Sequence, residues 1–205
     1  MSIRIIAVIL AAAAAAAIGF FLAGGGRLGP GASLTPEGLK ATRLYPTPRP
    51  LPEFTLERPD GRPLTLADWR GRWNLVFIGF THCPDICPVA LGTLRDIERR
   101  FPPERAPQVT FISVDPERDR GETLERYVGF FNPRFLAATG DHDSLQRLTR
   151  ALGLVYLHRP TEDGYEVDHS ASIVIVDPQG RLVGAVPPPH DPAVVAADLA
   201  RLMGG

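Results

Sequence analysis

The chain has 205 residues, of which 44% are hydrophobic and 22% are charged, so it can bury one globular core and still carry additional segments. Its 22 lysines and arginines nearly balance its 23 aspartates and glutamates, which gives a formal net charge of −1. Because no run of basic residues stands out, the composition excludes the electrostatic footprint of a nucleic-acid-binding protein.

The amino terminus is apolar or small from residue 3 to residue 23, apart from Arg4. This is about the ~20 residues that a helix needs to cross a hydrocarbon core of ~30 Å. A cleaved signal peptide is the alternative, with Ala15 to Ala17 as a small-residue cleavage site. Since the apolar stretch continues through Leu22, we expect an uncleaved, single transmembrane helix over residues 1–23.

Residues 24–52 have the composition of a tether, because a Gly-rich part is followed by the Pro-rich stretch YPTPRPLP. Positive charges lie on both sides of the apolar segment, so they do not determine its orientation. The cysteine pair described below favours an oxidising compartment, and no Arg/Ser-rich leader precedes the apolar segment. We therefore expect a bacterial inner-membrane protein whose soluble domain faces the periplasm.

Residues 53–205 read as one folded domain. It begins with a β-hairpin around Pro59-Asp60-Gly61, and a buried strand over residues 73–80 then leads to Cys83 and Cys87. A helix is expected over residues 88–101, with Pro88 at its first position. The later patterns predict strands over 108–114, 135–138, 154–158, 170–176 and 181–186, and helices over 123–131, 144–152 and 191–203. This order predicts an α/β fold, a thioredoxin-like sandwich with an N-terminal β-hairpin.

Cys83 and Cys87 are the only cysteines of the chain, and they follow the buried strand where a helix is about to begin. A structural disulfide is the simplest interpretation, but a bridge across four residues would constrain little of the unfolded chain. A redox pair at a helix start is the second possibility. The spacing is one residue longer than Cys-x-x-Cys, so both sulfurs can face one ion, and soft thiolates select copper(I) or zinc.

His169 is the candidate third ligand among five histidines. It precedes a central apolar strand, where thioredoxin-like proteins usually carry a cis-proline, and no proline occupies residues 167–172. The other four histidines are not expected to be ligands of the ion. His82 is interpreted as a surface or supporting residue and His142 as part of a helix-capping context. His158 and His190 have no polar company that suggests a site, and they are interpreted as surface histidines.

Three separated motifs resemble the Sco/SenC family of thioredoxin-fold copper proteins, which assist cytochrome c oxidase assembly. They are GFTHCPDICP around the cysteines, SVDPERD over residues 113–119, and VDHSASIVIVDPQG around His169. The resemblance implies a site for copper(I) or copper(II) made by Cys83, Cys87 and His169. Asp115 and Asp119 belong to the second motif, and their positions predict only a supporting role, with Asp115 at the end of a strand near the site and Asp119 as a candidate cap of the next helix.

The resemblance also implies a function. The expected partner is cytochrome c oxidase subunit II, with other periplasmic copper carriers or thiol reductants as further candidates. A membrane-anchored copper metallochaperone, rather than an enzyme, is the first hypothesis. A thiol–disulfide oxidoreductase that reduces the partner's copper-ligand cysteines through the redox-active pair Cys83 and Cys87 is the second. Peroxide reduction is the weakest, because Thr81-His82-Cys83 offers only part of a peroxidatic site.

Overall fold

The computed structural model describes residues 38–162 and 164–204, which belong to one compact unit. The predicted membrane anchor over residues 1–23 and the first part of the predicted tether lie outside these residues. Among the residues described, no helix combines the length and apolar character needed to span a bilayer.

Ten strands are found in the described part of the chain, and the central ones lie where the apolar runs predicted them. Their bounds are β1 Arg43–Pro50, β2 Thr55–Glu57, β3 Pro63–Thr65, β4 Asn74–Gly79, β5 Gln108–Ser113, β6 Leu136–Ala138, β7 Tyr156–Thr161, β8 Gly164–His169, β9 Ile173–Val176 and β10 Arg181–Val186.

Four α-helices are found among the same residues, together with one short 3-10 turn at Leu66–Asp68. Each α-helix falls close to its predicted position. The helix bounds are α1 Ile86–Glu98, α2 Gly121–Phe131, α3 His142–Ala151 and α4 Pro192–Gly204.

Six of the strands form one sheet in the order β1-β10-β9-β4-β5-β6. β4 pairs in parallel with β5, and the crossover between them contains α1, so β4-α1-β5 is a βαβ unit. On its other side β4 pairs antiparallel with β9, and β9 in turn pairs antiparallel with β10. The predicted α/β order is therefore confirmed, and it places the end of β4 at the centre of the sheet.

Both faces of the central strands are covered. All six residues of β4 and all four residues of β9 are buried, as expected for strands that read as continuous apolar runs. Leu91, Leu94 and Ile97 on α1 supply the predicted apolar stripe and are fully buried. α1 also packs against α2 and α4, so the start of α1 is held by the core on several sides.

The predicted N-terminal hairpin is confirmed as the antiparallel pair β2–β3. A second hairpin, β7–β8, was not predicted as such, because β8 carries the exposed polar residues Glu166 and Asp168 and has no apolar run. The predicted strand over residues 170–176 is correspondingly too long, since β9 begins only at Ile173. His169 is thus the last residue of β8, and three residues separate it from Ile173, the first residue of β9.

The Pro-rich stretch that sequence composition assigns to the tether is extended, as expected, and residues 43–50 form β1. β1 pairs antiparallel with β10 at the edge of the sheet. Proline cannot donate a ladder hydrogen bond, which is why a strand with several prolines is confined to an edge. The sheet therefore begins before the predicted start of the domain at residue 53.

Candidate metal centre

The two cysteines lie on either side of the junction between β4 and α1. Cys83 lies in the connecting loop, and Cys87 lies in the first turn of α1. The helix begins at Ile86, two residues before the predicted start at Pro88. Proline is tolerated in a first helical turn because the amide hydrogens there have no intrahelical partner. The earlier start brings Cys87 into the helix and into the core.

Both thiols are free, and they differ in exposure. Cys87 is fully buried, whereas Cys83 is partly exposed. The backbone N–H of Cys87 donates to Sγ of Cys83 across 3.4 Å, so the loop already directs both sulfurs to one place. Burial raises the pKa of the Cys87 thiol, because a thiolate is poorly solvated in the apolar interior. This sulfur needs a compensating positive charge, such as a metal ion, to lose its proton.

His169 joins the cysteines from the end of β8. Its Nε2 lies 3.3 Å from Sγ of Cys87, and its Nδ1 donates to the carbonyl oxygen of Ser170 at 3.0 Å. That second hydrogen bond fixes the proton on Nδ1 and leaves the lone pair of Nε2 directed at the sulfur, as in many metal-ligating histidines. Burial also lowers the pKa of His169, so the ring is neutral near pH 7.

Two phenylalanines hold the His169 ring in place. Phe77 on β4 and Phe80 just after it each meet the ring edge to face, with centroids 5.9 Å away and interplanar angles of 82° and 87°. With the ring clamped in this way, one ligand atom from each of Cys83, Cys87 and His169 lies within 4.8 Å of the other two. The structure brings together the three residues selected from the sequence.

Gly79, the last residue of β4, makes room for this arrangement. A Cβ atom added there would lie 2.5 Å from Sγ of Cys87 and 2.9 Å from the ring of Phe111. Real Cβ atoms do not approach other atoms this closely, so only glycine fits without a shift of the sulfur. The sequence signal was the glycine itself, in an otherwise apolar strand, which marks a close approach of another group.

Asp119 braces the loop that carries Cys83. Its buried carboxylate accepts hydrogen bonds from the N–H and the hydroxyl of Thr81, at 2.6 and 2.5 Å, and from the hydroxyl of Ser113 at 2.6 Å. The prediction that Asp119 caps the next helix is wrong, since the residue that precedes α2 is Arg120. The carboxylate instead ties the start of the cysteine loop to the end of β5.

Asp115 has the predicted supporting role, and the structure specifies it. This buried carboxylate accepts a hydrogen bond from the hydroxyl of Tyr165 on β8 at 2.6 Å and pairs with Arg118 at 2.5 Å. Arg118 in turn lies over the Tyr165 ring, 4.3 Å from its centroid. Asp115 therefore links the loop after β5 to the hairpin that ends in His169.

His82 is half exposed, as predicted from its sequence position. Its Nδ1 lies 3.1 Å from Oγ1 of Thr81 and 3.7 Å from a carboxylate oxygen of Asp119. It is next to Cys83 in sequence but is not part of the cluster of the two sulfurs and His169.

His142 lies in the predicted helix-capping context, because it is the first residue of α3 and directly follows the cap Asp141. It also contacts Glu117 and Tyr156. His158 and His190 were expected to be surface histidines, but both are only partly exposed and each hydrogen-bonds to the backbone. Nε2 of His158 donates to the carbonyl of Val114 at 2.8 Å, and Nε2 of His190 donates to that of Val186 at 3.1 Å. Backbone acceptors of this kind leave no signal in a sequence.

Chemically, the cluster offers two sulfurs and one neutral imidazole nitrogen. Thiolate ligands select soft ions such as copper(I), and imidazole suits copper and zinc alike. A three-ligand set also leaves one side open, since no fourth side chain with a ligand atom joins it in the described part of the chain. The fold and this site together define a thioredoxin-like α/β protein with a candidate metal centre of two cysteines and one histidine.

The SCO1/SenC family model matches residues 45–204. The chain belongs to the SCO1/SenC family, and the resemblance seen in its motifs is confirmed. The match includes the segments that carry Cys83, Cys87 and His169, as well as the loop that holds Asp115 and Asp119.

Individual relatives agree with this assignment. A putative copper-binding protein from Stutzerimonas stutzeri is 36% identical over 149 residues, covering 71% of this chain and 73% of its own length. The mitochondrial SCO2 homolog of mouse is 40% identical over 133 residues, which cover 62% of this chain and about half, 52%, of the mouse protein. The crystal structure of Arabidopsis thaliana ScoI with copper bound has a TM-score of 0.70 at 30% identity, covering 75% of this chain and 98% of that one.

Proposed function

We propose that this protein binds copper through Cys83, Cys87 and His169 and delivers it during assembly of cytochrome c oxidase, to the binuclear copper centre of subunit II. The observation that carries the proposal is the 3.3 Å approach of His169 Nε2 to the Cys87 sulfur, with the ring proton held on Nδ1. A structural disulfide would not need a neutral imidazole aimed at one of its sulfurs.

The openness of the site supports a carrier rather than a storage protein. Cys83 is partly exposed, and three ligands leave room for a sulfur of the acceptor to enter before the ion departs. The relatives support copper as the ion, because one is described as a putative copper-binding protein and another was crystallised with copper. A metallochaperone of this kind transfers an ion and needs no catalytic residue.

Removal of His169 tests the metal site. We expect His169→Ala to weaken copper(I) binding by at least tenfold, because a third of the ligand set is lost while both sulfurs remain. The affinity is measured by competition with a chromophoric copper(I) chelator on the reduced full-length protein. His82→Ala is the matched control, since it removes a histidine next to Cys83 that is not in the cluster. Equal copper(I) affinities of His169→Ala and the unsubstituted protein would refute the proposal.

The second candidate function is thiol–disulfide exchange, which the two free, adjacent thiols also permit. In that reaction, Cys83 and Cys87 give two electrons and two protons to a disulfide of the partner and become a disulfide themselves. The two functions predict different behaviour of His169→Ala in a strain that lacks the native gene. Restoration of oxidase activity by this copper-deficient, redox-competent variant would favour the reductase, and failure to restore it favours copper delivery.

We also propose that residues 1–23 anchor the protein in a bacterial inner membrane with the copper-binding domain in the periplasm. The support is the ~20-residue apolar length of the segment and the thiol pair, whose redox chemistry suits an oxidising compartment. The protein should stay in the membrane fraction after alkaline carbonate extraction and become protease-sensitive in spheroplasts. Release by carbonate, or protection from protease until the spheroplasts are lysed, would contradict it.

A further inference from the structure

A second group of candidate metal ligands lies outside the sulfur site. It consists of Glu117 in the loop after β5, His142 at the start of α3 and His158 on β7, and we call it the Glu117 cluster. One ligand atom of each residue lies within 4.8 Å of the other two. We propose that the Glu117 cluster is a separate binding site for one divalent transition-metal ion, either copper(II) or zinc(II).

His142 and Glu117 already have the spacing of two ligands of one ion. Nε2 of His142 lies 3.0 Å from Oε1 of Glu117. Two ligand atoms that bind a tetrahedral ion at about 2.0–2.1 Å are roughly 3.4 Å apart. A metal ion can therefore bind both atoms once the His142 proton has moved from Nε2 to Nδ1, with a change in their separation of only a few tenths of an ångström.

Tyr156 orients the His142 ring through Nδ1, the ring nitrogen that does not face Glu117. Its hydroxyl lies 3.1 Å from Nδ1 of His142 and donates to the carbonyl oxygen of the same residue at 3.4 Å, so it can accept the Nδ1 proton when Nε2 binds an ion. Burial, and then the charge of Glu117, raises the pKa of Tyr156 to about 12, so the hydroxyl keeps its proton at neutral pH. A hydrogen bond to the second ring nitrogen is the usual support of a metal-ligating histidine.

The ring of His158 is held in a fixed orientation. Nε2 donates to the carbonyl oxygen of Val114 at 2.8 Å, which leaves the lone pair on Nδ1. The ring is stacked on Tyr165, with centroids 5.0 Å apart and an interplanar angle of 7°, and it stands at 88° to the ring of His142. The two imidazoles therefore approach the cluster from different directions, as ligands around one ion do.

The ligand chemistry determines which ion fits. Two imidazole nitrogens and one carboxylate oxygen suit zinc(II) and copper(II), while the absence of sulfur from these three residues disfavours copper(I). Copper(II) is expected to bind more tightly than zinc(II), following the general order of divalent affinities. Glu117 and His142 are about half exposed in their side chains, 50% and 41%, so an ion can enter from solvent.

A purely structural role is the alternative, because the same side chains could simply brace the β7–β8 hairpin against α3. The two roles are separated in a parent protein whose sulfur site has been removed, the full-length Cys83→Ser/Cys87→Ser/His169→Ala variant without a purification tag. We expect this parent to bind one zinc(II) or one copper(II) per chain in calorimetric titrations with the chloride salts. Its copper(II) electron paramagnetic resonance spectrum should show coupling to imidazole nitrogen.

Single substitutions in that parent identify the ligands. Glu117→Gln keeps the shape of an exposed side chain, and we expect it and His142→Ala each to weaken zinc(II) and copper(II) binding by at least tenfold. His190→Ala is the matched control and should leave both affinities unchanged, because His190 joins no ligand cluster among the described residues. No binding to the parent, or a loss of less than threefold in both cluster variants, would overturn the proposal.

The unsubstituted chain provides an independent measurement if the parent variant is unstable. In the reduced full-length protein, Glu117→Gln should lower the stoichiometry of zinc(II) binding by one ion per chain, whether or not the sulfur site also holds zinc. A stoichiometry that stays the same in Glu117→Gln would refute the second site. Neither result depends on copper binding by Cys83, Cys87 and His169, so this inference and the proposed function fail separately.

Discussion

At the scale of single residues, the geometry of the candidate metal centre depends on Gly79, which has no Cβ atom. Gly79 ends the central strand directly beneath Cys87, and an added Cβ would meet the sulfur at 2.5 Å. The sulfur cannot move inward, because Cys87 is fully buried and Phe111 occupies the neighbouring space. The position of one of the two candidate ligand sulfurs is therefore determined by the strand below it.

We expect Gly79→Ala to destabilise the protein by about 1–3 kcal/mol, the usual cost of an extra methyl group in a packed core. Because the displaced atom is Sγ of Cys87, copper(I) binding should weaken as well. Urea denaturation and chelator competition measure the two effects. Gly92→Ala on α1 is the control, since nothing lies within 4 Å of its added Cβ and alanine favours a helix. A Gly79→Ala variant as stable as the parent, with unchanged copper affinity, would contradict this account.

At the scale of secondary-structure elements, α4 fastens the chain that enters the sheet. Asp198 on α4 is buried, and its carboxylate accepts hydrogen bonds from the backbone N–H groups of residues 40, 41 and 42, at 3.0, 2.8 and 2.8 Å. These residues lead directly into β1. One carboxylate therefore holds the amino-terminal edge of the sheet against the carboxy-terminal helix.

Burial alone would raise the pKa of Asp198, but the three N–H donors outweigh it and hold the pKa below its ordinary value. The ionised carboxylate thus stabilises the fold above the unfolded-state pKa of about 3.9, and this contribution is lost as the pH falls through the lower folded-state value. We expect Asp198→Asn to cost about 1–3 kcal/mol at pH 7 and much less at pH 2. Urea denaturation at both pH values measures the difference.

Asp191→Asn provides the control for this carboxylate. Asp191 accepts hydrogen bonds from the N–H groups of Ala193 and Val194 at the exposed start of α4, where asparagine caps a helix about as well as aspartate. This variant should stay within about 0.5 kcal/mol of the parent. A cost of Asp198→Asn that does not change with pH would show that the charge of the carboxylate is not what holds the segment.

The loop after β5 connects the sulfur site with the Glu117 cluster. Asp119 hydrogen-bonds to the start of the cysteine loop, Asp115 hydrogen-bonds to the hairpin that carries His169, and Glu117 contacts His142. The sequence motif SVDPERD thus has a physical explanation, because its acidic residues face three different parts of the molecule. A substitution in this loop that disturbs one cluster should be examined for effects on the other.

At the scale of the whole molecule, the buried parts were predictable and the polar parts were not. The apolar runs predicted β4, β5 and the stripe of α1 correctly, since these elements read as buried strands or as a helix face. The three motifs identified the residues that meet at the sulfur site. The predicted strand over 154–158 corresponds to the start of β7, but β8 was missed because its exposed polar residues have no apolar pattern, and β1 was missed because prolines hide an edge strand.

The polar contacts required the three-dimensional structure. The carboxylate of Asp119 lies 38 residues along the chain from its partner Thr81, and the hydrogen bond of His158 is to a backbone carbonyl. Neither partner could be identified from residue types or spacing. The Glu117 cluster is the clearest case, because its three members come from a loop, a helix and a strand that only the fold brings together.

The unequal burial of the two sulfurs has a consequence for the path of the ion. Cys87 is immobilised in the core, whereas Cys83 lies on a loop and is partly exposed. In the proposed copper site, an acceptor protein should displace Cys83 first, and Cys87 should be the last ligand to release the ion. The copper ion would then enter and leave through the face on which Cys83 lies. The order in which the two sulfurs release it would follow from their unequal burial.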